Sequence, residues 1–393
     1  MWLLWLFPLV IADPTNIQLS ISSSGHIEVR WDMHHYSYSF LVYGRLSSFT
    51  DISQLAQRGR YVKSWPKLAN SGIKHKAEVK DLQPEELYVY QVGSEDEGWS
   101  PIYSFVGPIK SEEHYPTFAI LSNLSEGSQS SKILSQLVAR SFIERLDGIF
   151  IYGAMTSQPL YDVTRTNIPT MLMPKSIKES YYSIQYSHVY LIILNTYAIT
   201  PDQFSWLKRE LNSAQSYAWT IIFGEHPLSE INTSKTNFTE LFLDAKVNLY
   251  VASGEFYERS NILYRVSDHQ IDYTAELLEI QMGPSCTKEK RALDSNDTEI
   301  YASLHPGYGI LHLRYSFLRW QEYSSNSHRL MDDAYEHRVG LVPRKGNEKK
   351  TVIIVLVTSF VMFSAAFIQS YYMRRRNKKK QNGLIDLDKD VVD

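Results

Sequence analysis

Six apolar runs of strand length, at residues 118–121, 148–152, 170–173, 189–194, 219–223 and 247–251, constrain this chain more than any other feature. A run that is apolar at every position gives a strand buried on both faces, the kind found in sheets covered by helices. Helical stretches separate the runs. Thr200, Pro201 and Gln203 supply a cap, a first-turn proline and a capping-box partner, and Phe204, Leu207 and Leu211 follow on one face. A second helix is predicted over 130–145, with Ile133, Leu134, Leu137, Val138 and Phe142 turned inward. Open sheets place their sites just past the carboxyl ends of the strands. There the sequence reads Ser122-Asn123, Gly153-Ala154, Lys175-Ser176, Asn195-Thr196, Gly224-Glu225 and Ala252-Ser253-Gly254.

The regions on either side have other patterns. Between residues 16 and 105, short alternating runs at 17–21, 26–31, 40–43, 76–80 and 87–93 predict a small β-sandwich suited to binding or spacing. Its Pro84-bearing turn leads into a Tyr-rich strand, as in fibronectin type III modules. The domain boundary falls near 107–115. After Ser260, runs at 275–281, 309–315 and 317–321 are expected to complete a second sheet.

The two ends indicate the compartment. Residues 2–11 carry no charge and lead into Val10-Ile11-Ala12, the pattern of a secretory signal without the usual positive start, with a buried strand as the alternative. Residues 351–373 also carry no charge and would span about 34 Å as a helix, enough to cross a hydrocarbon core of about 30 Å. Arg374-Arg375-Arg376 and Lys378-Lys379-Lys380 follow at once and would hold that end in the cytosol. The expected organisation is a signal peptide (1–12), a fibronectin III-like domain (13–108), an α/β domain (112–338), a stalk (339–350), one transmembrane helix (351–373) and a cytoplasmic tail (374–393). The chain is then a single-pass type I protein of the secretory pathway or plasma membrane, with its N-terminal domains outside the cytosol. A net charge of −3 and the lack of a long basic stretch in the middle of the chain argue against nucleic acid as a partner. The single cysteine, Cys286, forms no internal bridge, leaving a buried thiol or an intermolecular disulfide. N-glycosylation sequons start at Asn123, Asn232, Asn237 and Asn296.

Several segments together resemble the purple acid phosphatases, metallophosphoesterases in which a fibronectin-like module precedes an α/β sandwich. They are Tyr90-Gln91-Val92-Gly93-Ser94 with Glu97-Gly98-Trp99-Ser100, Ile168-Pro169, residues 189–196, Gln203-Phe204 with Trp206-Leu207, Tyr257-Glu258-Arg259, the turn Gly283 to Cys286, and Pro306-Gly307-Tyr308-Gly309. The resemblance covers roughly residues 14 to 338. It implies a dinuclear iron, zinc or manganese centre held by Asp, Tyr, Asn and His residues in five motifs.

At those motifs this sequence departs from the family. Ser122-Asn123 replaces the first Gly-Asp. In the second motif Ala154 stands for Asp and Ser157 for Tyr, and in the third Ser176 stands within Lys175-Ser176-Ile177-Lys178. Glu225 takes a histidine position with His226 displaced by one, and Ser253 and Glu255 fall where the last histidine motif would lie. Two multivalent ions about 3.5 to 4 Å apart need several anionic or imidazole donors, whereas alanine offers none and Lys175 adds a cation. The expectation is therefore no metal cofactor and a pseudophosphatase with a binding or adhesion role toward an extracellular protein or glycan. Two alternatives are an active acid phosphatase with rearranged ligands (Glu225, His226, Glu255, Asn123, Asp162) and a receptor holding a phosphoester through Lys175 and Lys178.

Overall fold

A computed structural model describes residues 14–69, 72–109, 111, 113–124, 128–153, 166–174, 180–232, 237–254, 257–267, 270–283, 285, 299–303, 306–327 and 329–337. The signal segment, stalk, 351–373 block and tail lie outside the described residues, as do Ala154, Ser157, Asp162, Lys175, Ser176, Lys178, Glu255, Cys286 and Asn296. Among the described residues no helix is long and apolar enough to cross a membrane.

The first domain contains β1 (Thr15–Ile21), β2 (Ile27–Met33), β3 (Ser39–Arg45), β4 (Arg60–Ser64), β5 (Lys67–Ala69), β6 (Gly72–Val79), β7 (Leu87–Ser94), β8 (Gly98–Trp99) and β9 (Tyr103–Val106). They form two sheets, ordered β1-β2-β6-β5 and β4-β3-β7-β8, with β9 also on β7. Alternation does the packing: Ile27, Val29, Trp31 and Met33 of β2 point inward to meet Leu41, Tyr90, Val92 and Phe105. The chain changes sheets between β4 and β5. There Ser64 Oγ donates to the Lys76 carbonyl and accepts from the Lys76 N–H, both at 2.9 Å.

The second domain holds β10 (Thr117–Ser122), β11 (Gly148–Tyr152), β12 (Thr170–Leu172), β13 (Tyr182–Tyr186), β14 (Val189–Ile193), β15 (Trp219–Phe223), β16 (Leu249–Ser253), β17 (Tyr257–Ser267), β18 (Gln270–Met282), β19 (Glu299–Ser303), β20 (Gly307–Leu313), β21 (Phe317–Ser324) and β22 (Leu330–His337). One sheet runs β12-β11-β10-β20-β21-β22 and the other β13-β14-β15-β16-β18-β17-β19. Phe118, Phe150 and Tyr152 of the first face Leu191, Ile221 and Phe223 of the second. The Phe150 and Phe223 rings stack at 4.1 Å. Helices α1 (Ser128–Ser141), α2 (Pro201–Ala214) and α3 (Phe238–Asp244) accompany these sheets. Ile133, Leu134 and Leu137 of α1 cover Ala119, Leu121 and Ile149, while Leu207 and Leu211 of α2 cover Tyr190 and Ile192. With apolar neighbours on both sides, the central strands read as apolar at almost every position.

Three expectations need correction. Helix α1 stops at Ser141, so Phe142 does not point inward; it and Ile143 are 86% and 90% exposed. The turn that follows instead directs Glu144 onto His312 and Arg145 onto Asp147. Strand β16 starts two residues later than its apolar run and continues through Ser253, placing that serine within the strand. The late strands divide between sheets: β18 joins β16 in parallel, but β20 and β21 extend the first sheet because β20 pairs antiparallel with β10.

The two domains pack directly. Ile21 of β1 is part of the second domain's core, Gln18 Nε2 donates to the Thr170 carbonyl at 3.3 Å, and an Arg145 nitrogen donates to the Gly107 carbonyl at 3.0 Å.

Candidate functional site

Parallel pairing of β10 with β11, and of β14, β15 and β16 with one another, brings their carboxyl ends to one edge of the paired sheets. Ser122, last in β10, faces Ser253, last in β16, with the two Oγ atoms 3.4 Å apart. Ser285 closes over them: its Oγ accepts the Ser122 N–H at 3.0 Å and its N–H donates to the Ser122 carbonyl at 2.8 Å. Asn123 turns the chain in the left-handed region, at φ 49°, and its N–H donates to the Tyr152 carbonyl at 3.0 Å. The Asn123 Oδ1 lies on Gly153, where an added Cβ would approach it to 1.9 Å at a φ of +73°. Only glycine fits beneath that amide.

Beneath this edge, the fully buried Tyr152 hydroxyl reaches across to the opposite sheet and donates to the Val251 carbonyl at 2.7 Å. Burial, with further pushes from Tyr250 and Glu225, raises its phenol well above the ordinary value and keeps it a neutral donor. On the next loop, Thr196 Oγ1 accepts the N–H groups of Glu225 and His226, each at 3.0 Å, and sits 3.0 Å from His226 Nδ1. The His226 ring also meets Tyr197 edge to face at 4.8 Å, and its carbonyl accepts from the Tyr250 hydroxyl at 2.5 Å. The displaced histidine is thus bound to the loop. Glu225 lies near enough to Tyr152 and Tyr250 for its charge to raise both phenols.

The chemistry on offer here is that of hydroxyls, the Asn123 amide, the Glu225 carboxylate and the loop-bound His226 imidazole. Among the described residues no group of three or more His, Cys, Asp or Glu side chains gathers to hold a metal ion. Of the positions named from sequence, the structure brings Asn123, Glu225 and Ser253 to this edge. Ala154, Ser157, Ser176 and Glu255 fall outside the described residues.

Residues 14–106 match the family described as purple acid phosphatase, N-terminal domain. A purple acid phosphatase, PPD1, from yellow lupin (Lupinus luteus) seeds superposes over 83% of this chain and 75% of its own, at 14% identity and a TM-score of 0.66. PhoD superposes over 83% of this chain and 90% of its own, at 11% identity and a TM-score of 0.55. The chain is purple acid phosphatase-like. At these identities the likeness is one of fold: a sheet-rich N-terminal domain followed by a metallophosphoesterase-like α/β domain.

In this purple acid phosphatase-like chain the described ligand positions do not suit a dinuclear centre. Asn123 and Ser253, with Ser122 beside them, contribute neutral oxygens already hydrogen-bonded or packed within the protein, and Glu225 is a single carboxylate. Several anionic donors would be needed to share the charge of two ions.

Sequence reasoning missed three contributors to this edge. Tyr152 is hidden inside an apolar run, and Ser285 is separated from Ser122 by 163 residues. Thr196 was visible only as part of a strand end, with nothing to announce that it would hold the Glu225–His226 turn. The asparagines of two sequons have local structural tasks as well: Asn237 Oδ1 caps α3 by accepting the Glu240 N–H at 3.1 Å, and Asn232 Oδ1 accepts the Phe238 N–H at 2.8 Å.

Proposed function

We propose that this purple acid phosphatase-like chain is a pseudophosphatase: a single-pass type I protein, anchored in a membrane of the secretory pathway or cell surface, that acts by binding an extracellular partner rather than by hydrolysis. The observation that supports it most directly is the Ser122–Ser253–Ser285 cluster. Neutral hydroxyls bonded to one another and to backbone stand at the end of the sheets, and one of them, Ser253, falls where the family resemblance implies a metal ligand. Hydrolysis in this class relies on a metal-activated hydroxide and cationic stabilisation of the phosphoryl group, both of which depend on the ions.

The test is metal analysis of the purified full-length chain in detergent, combined with an aryl phosphate assay at mildly acidic pH with added iron, zinc or manganese. The expected result is substoichiometric metal and no turnover above buffer. Stoichiometric metal accompanied by turnover would establish the alternative, an acid phosphatase with rearranged ligands.

A further inference from the structure

The outer face of the β4-β3-β7-β8 sheet carries aromatic side chains in mutual contact. Trp65 meets Tyr38 at 6.3 Å between centroids, Tyr38 meets Phe40 at 5.7 Å, Phe40 meets Tyr61 at 5.7 Å, and Tyr61 meets Trp99 at 6.4 Å. Tyr61 and Lys63 alternate on one side of β4, as Tyr38 and Phe40 do beside it, and β3 and β4 pair in register, which builds a continuous face. Much of it is open to solvent: Trp65 is 71% exposed, and Tyr38 and Tyr61 are each 50% exposed. Large apolar side chains grouped in water mark an interaction surface.

The segment that builds this edge of the sandwich is rich in cations, and one of them stands among the rings. From Ile52 to Ala77 the sequence contains Arg58, Arg60, Lys63, Lys67, Lys74 and Lys76 and no Asp or Glu. All six are exposed; Lys63 stands on the aromatic face, while Lys67, Lys74 and Lys76 belong to β5 and β6 of the other sheet, and of the six only Lys76 has a carboxylate partner among the described residues, Glu28 at 2.5 Å. The Lys63 Nζ lies over two rings, 3.8 Å from the Tyr38 centroid and 4.6 Å from that of Trp65. The rings therefore hold a cation in place at the surface.

From this combination we propose that the β3–β4 face of the N-terminal domain binds an anionic polysaccharide, a sulfated or carboxylated glycan chain. Charge complementarity selects an anion, and ring faces suit the C–H faces of pyranose units, so one ligand uses both features. An extended peptide is the poorer fit. Edge strand β4 leads straight into Pro66 and carries Lys63, features that discourage pairing with an added strand. The proposal names the partner class left open under the binding role and relies on that reading only for the compartment.

Its test uses the full-length chain in detergent micelles, with heparin as the sulfated probe. Neutral dextran, polyglutamate and vesicles of phosphatidylcholine with phosphatidylserine serve as comparators. Heparin should bind at about 0.15 M salt and dextran should not. The K63E variant should weaken heparin binding about tenfold or more, and W65A/Y38A by about fivefold, with melting temperatures unchanged because every altered side chain is exposed. Failure of heparin to bind, equal affinity of the variants and parent, or equal or stronger binding to polyglutamate or to vesicles would each overturn the proposal. Metal content and phosphatase activity are measured separately, so a chain that hydrolyses phosphoesters yet binds heparin through these residues would refute only the pseudophosphatase reading.

Discussion

The two ends of the paired sheets treat buried charge in opposite ways. At the amino ends, Asp147 is almost wholly buried just before β11 and receives donors from four directions. His114 Nε2 lies 2.8 Å from it, Arg145 Nε 3.0 Å, the Tyr186 hydroxyl 2.9 Å and the Thr117 N–H 3.0 Å. Burial pushes its carboxyl upward, but the bond and charge of His114, with Arg145 and Thr117 behind them, hold it below the ordinary carboxylate range. At the carboxyl ends, Ser122 bonds to Ser253 and to Ser285 through groups without formal charge. The fold can therefore keep a buried anion where donors converge on it; a dinuclear centre would require such convergence several times over at the other end.

Removing the charge at the amino end should have the largest effect. Asp147→Asn leaves His114 and Arg145 without their partner and is expected to cost roughly 3 to 5 kcal/mol in denaturant unfolding. A loss below about 1 kcal/mol would mean that the contrast between the two ends carries no energy.

Glu279 sharpens the comparison, because it is a buried carboxylate without such a cage. Burial and the nearby Glu258 charge push it up to about 7, and the Leu228 N–H, at 2.8 Å, only partly offsets them. Its folded value lies above its unfolded one, so between about pH 4.5 and 7 the folded chain holds the extra proton and stability declines as pH rises. Glu279→Gln should therefore stabilise the protein by about 2 to 3 kcal/mol at pH 8 and have little effect at pH 4. A stability difference independent of pH would refute that assignment. Asp147 has the opposite linkage: its contribution is present above the ordinary carboxylate range and is lost as pH falls through its lowered value.

The smallest effect is expected at the serine cluster. Ser122→Ala and Ser253→Ala each remove one neutral hydroxyl from a contact of 3.4 Å and should cost within about 1 kcal/mol. A loss comparable to that of Asp147→Asn would make this edge as dependent on its polar bonds as the other.

Much of the fold was legible because apolar patterning is local. The run 148–152 is β11 and the run 219–223 is β15, and the Thr200–Gln203 cap opens α2 where the sequence placed it. Phe142 was misjudged because periodicity cannot tell where a helix yields to competing contacts; Glu144 and Arg145 have partners that pull the chain out of the helix. Strands β4 and β5 gave little signal, since β4 carries cations and a tyrosine on its exposed edge and β5 is only three residues long. At the candidate site, the substitutions themselves could be read from motif positions, but not the contacts that replaced the ligands.

By itself, the sequence determined the strands, the capped helix and the chemical character of each strand end, because these depend on residues a few positions apart. Tertiary structure decided which of those ends meet. Ser122 touches Ser253 and Ser285, Tyr152 reaches Val251, and Tyr186 joins Asp147 only because two sheets face each other at close packing distance. Contacts between residues so far apart in the chain follow from sheet order and register, which local patterning does not encode.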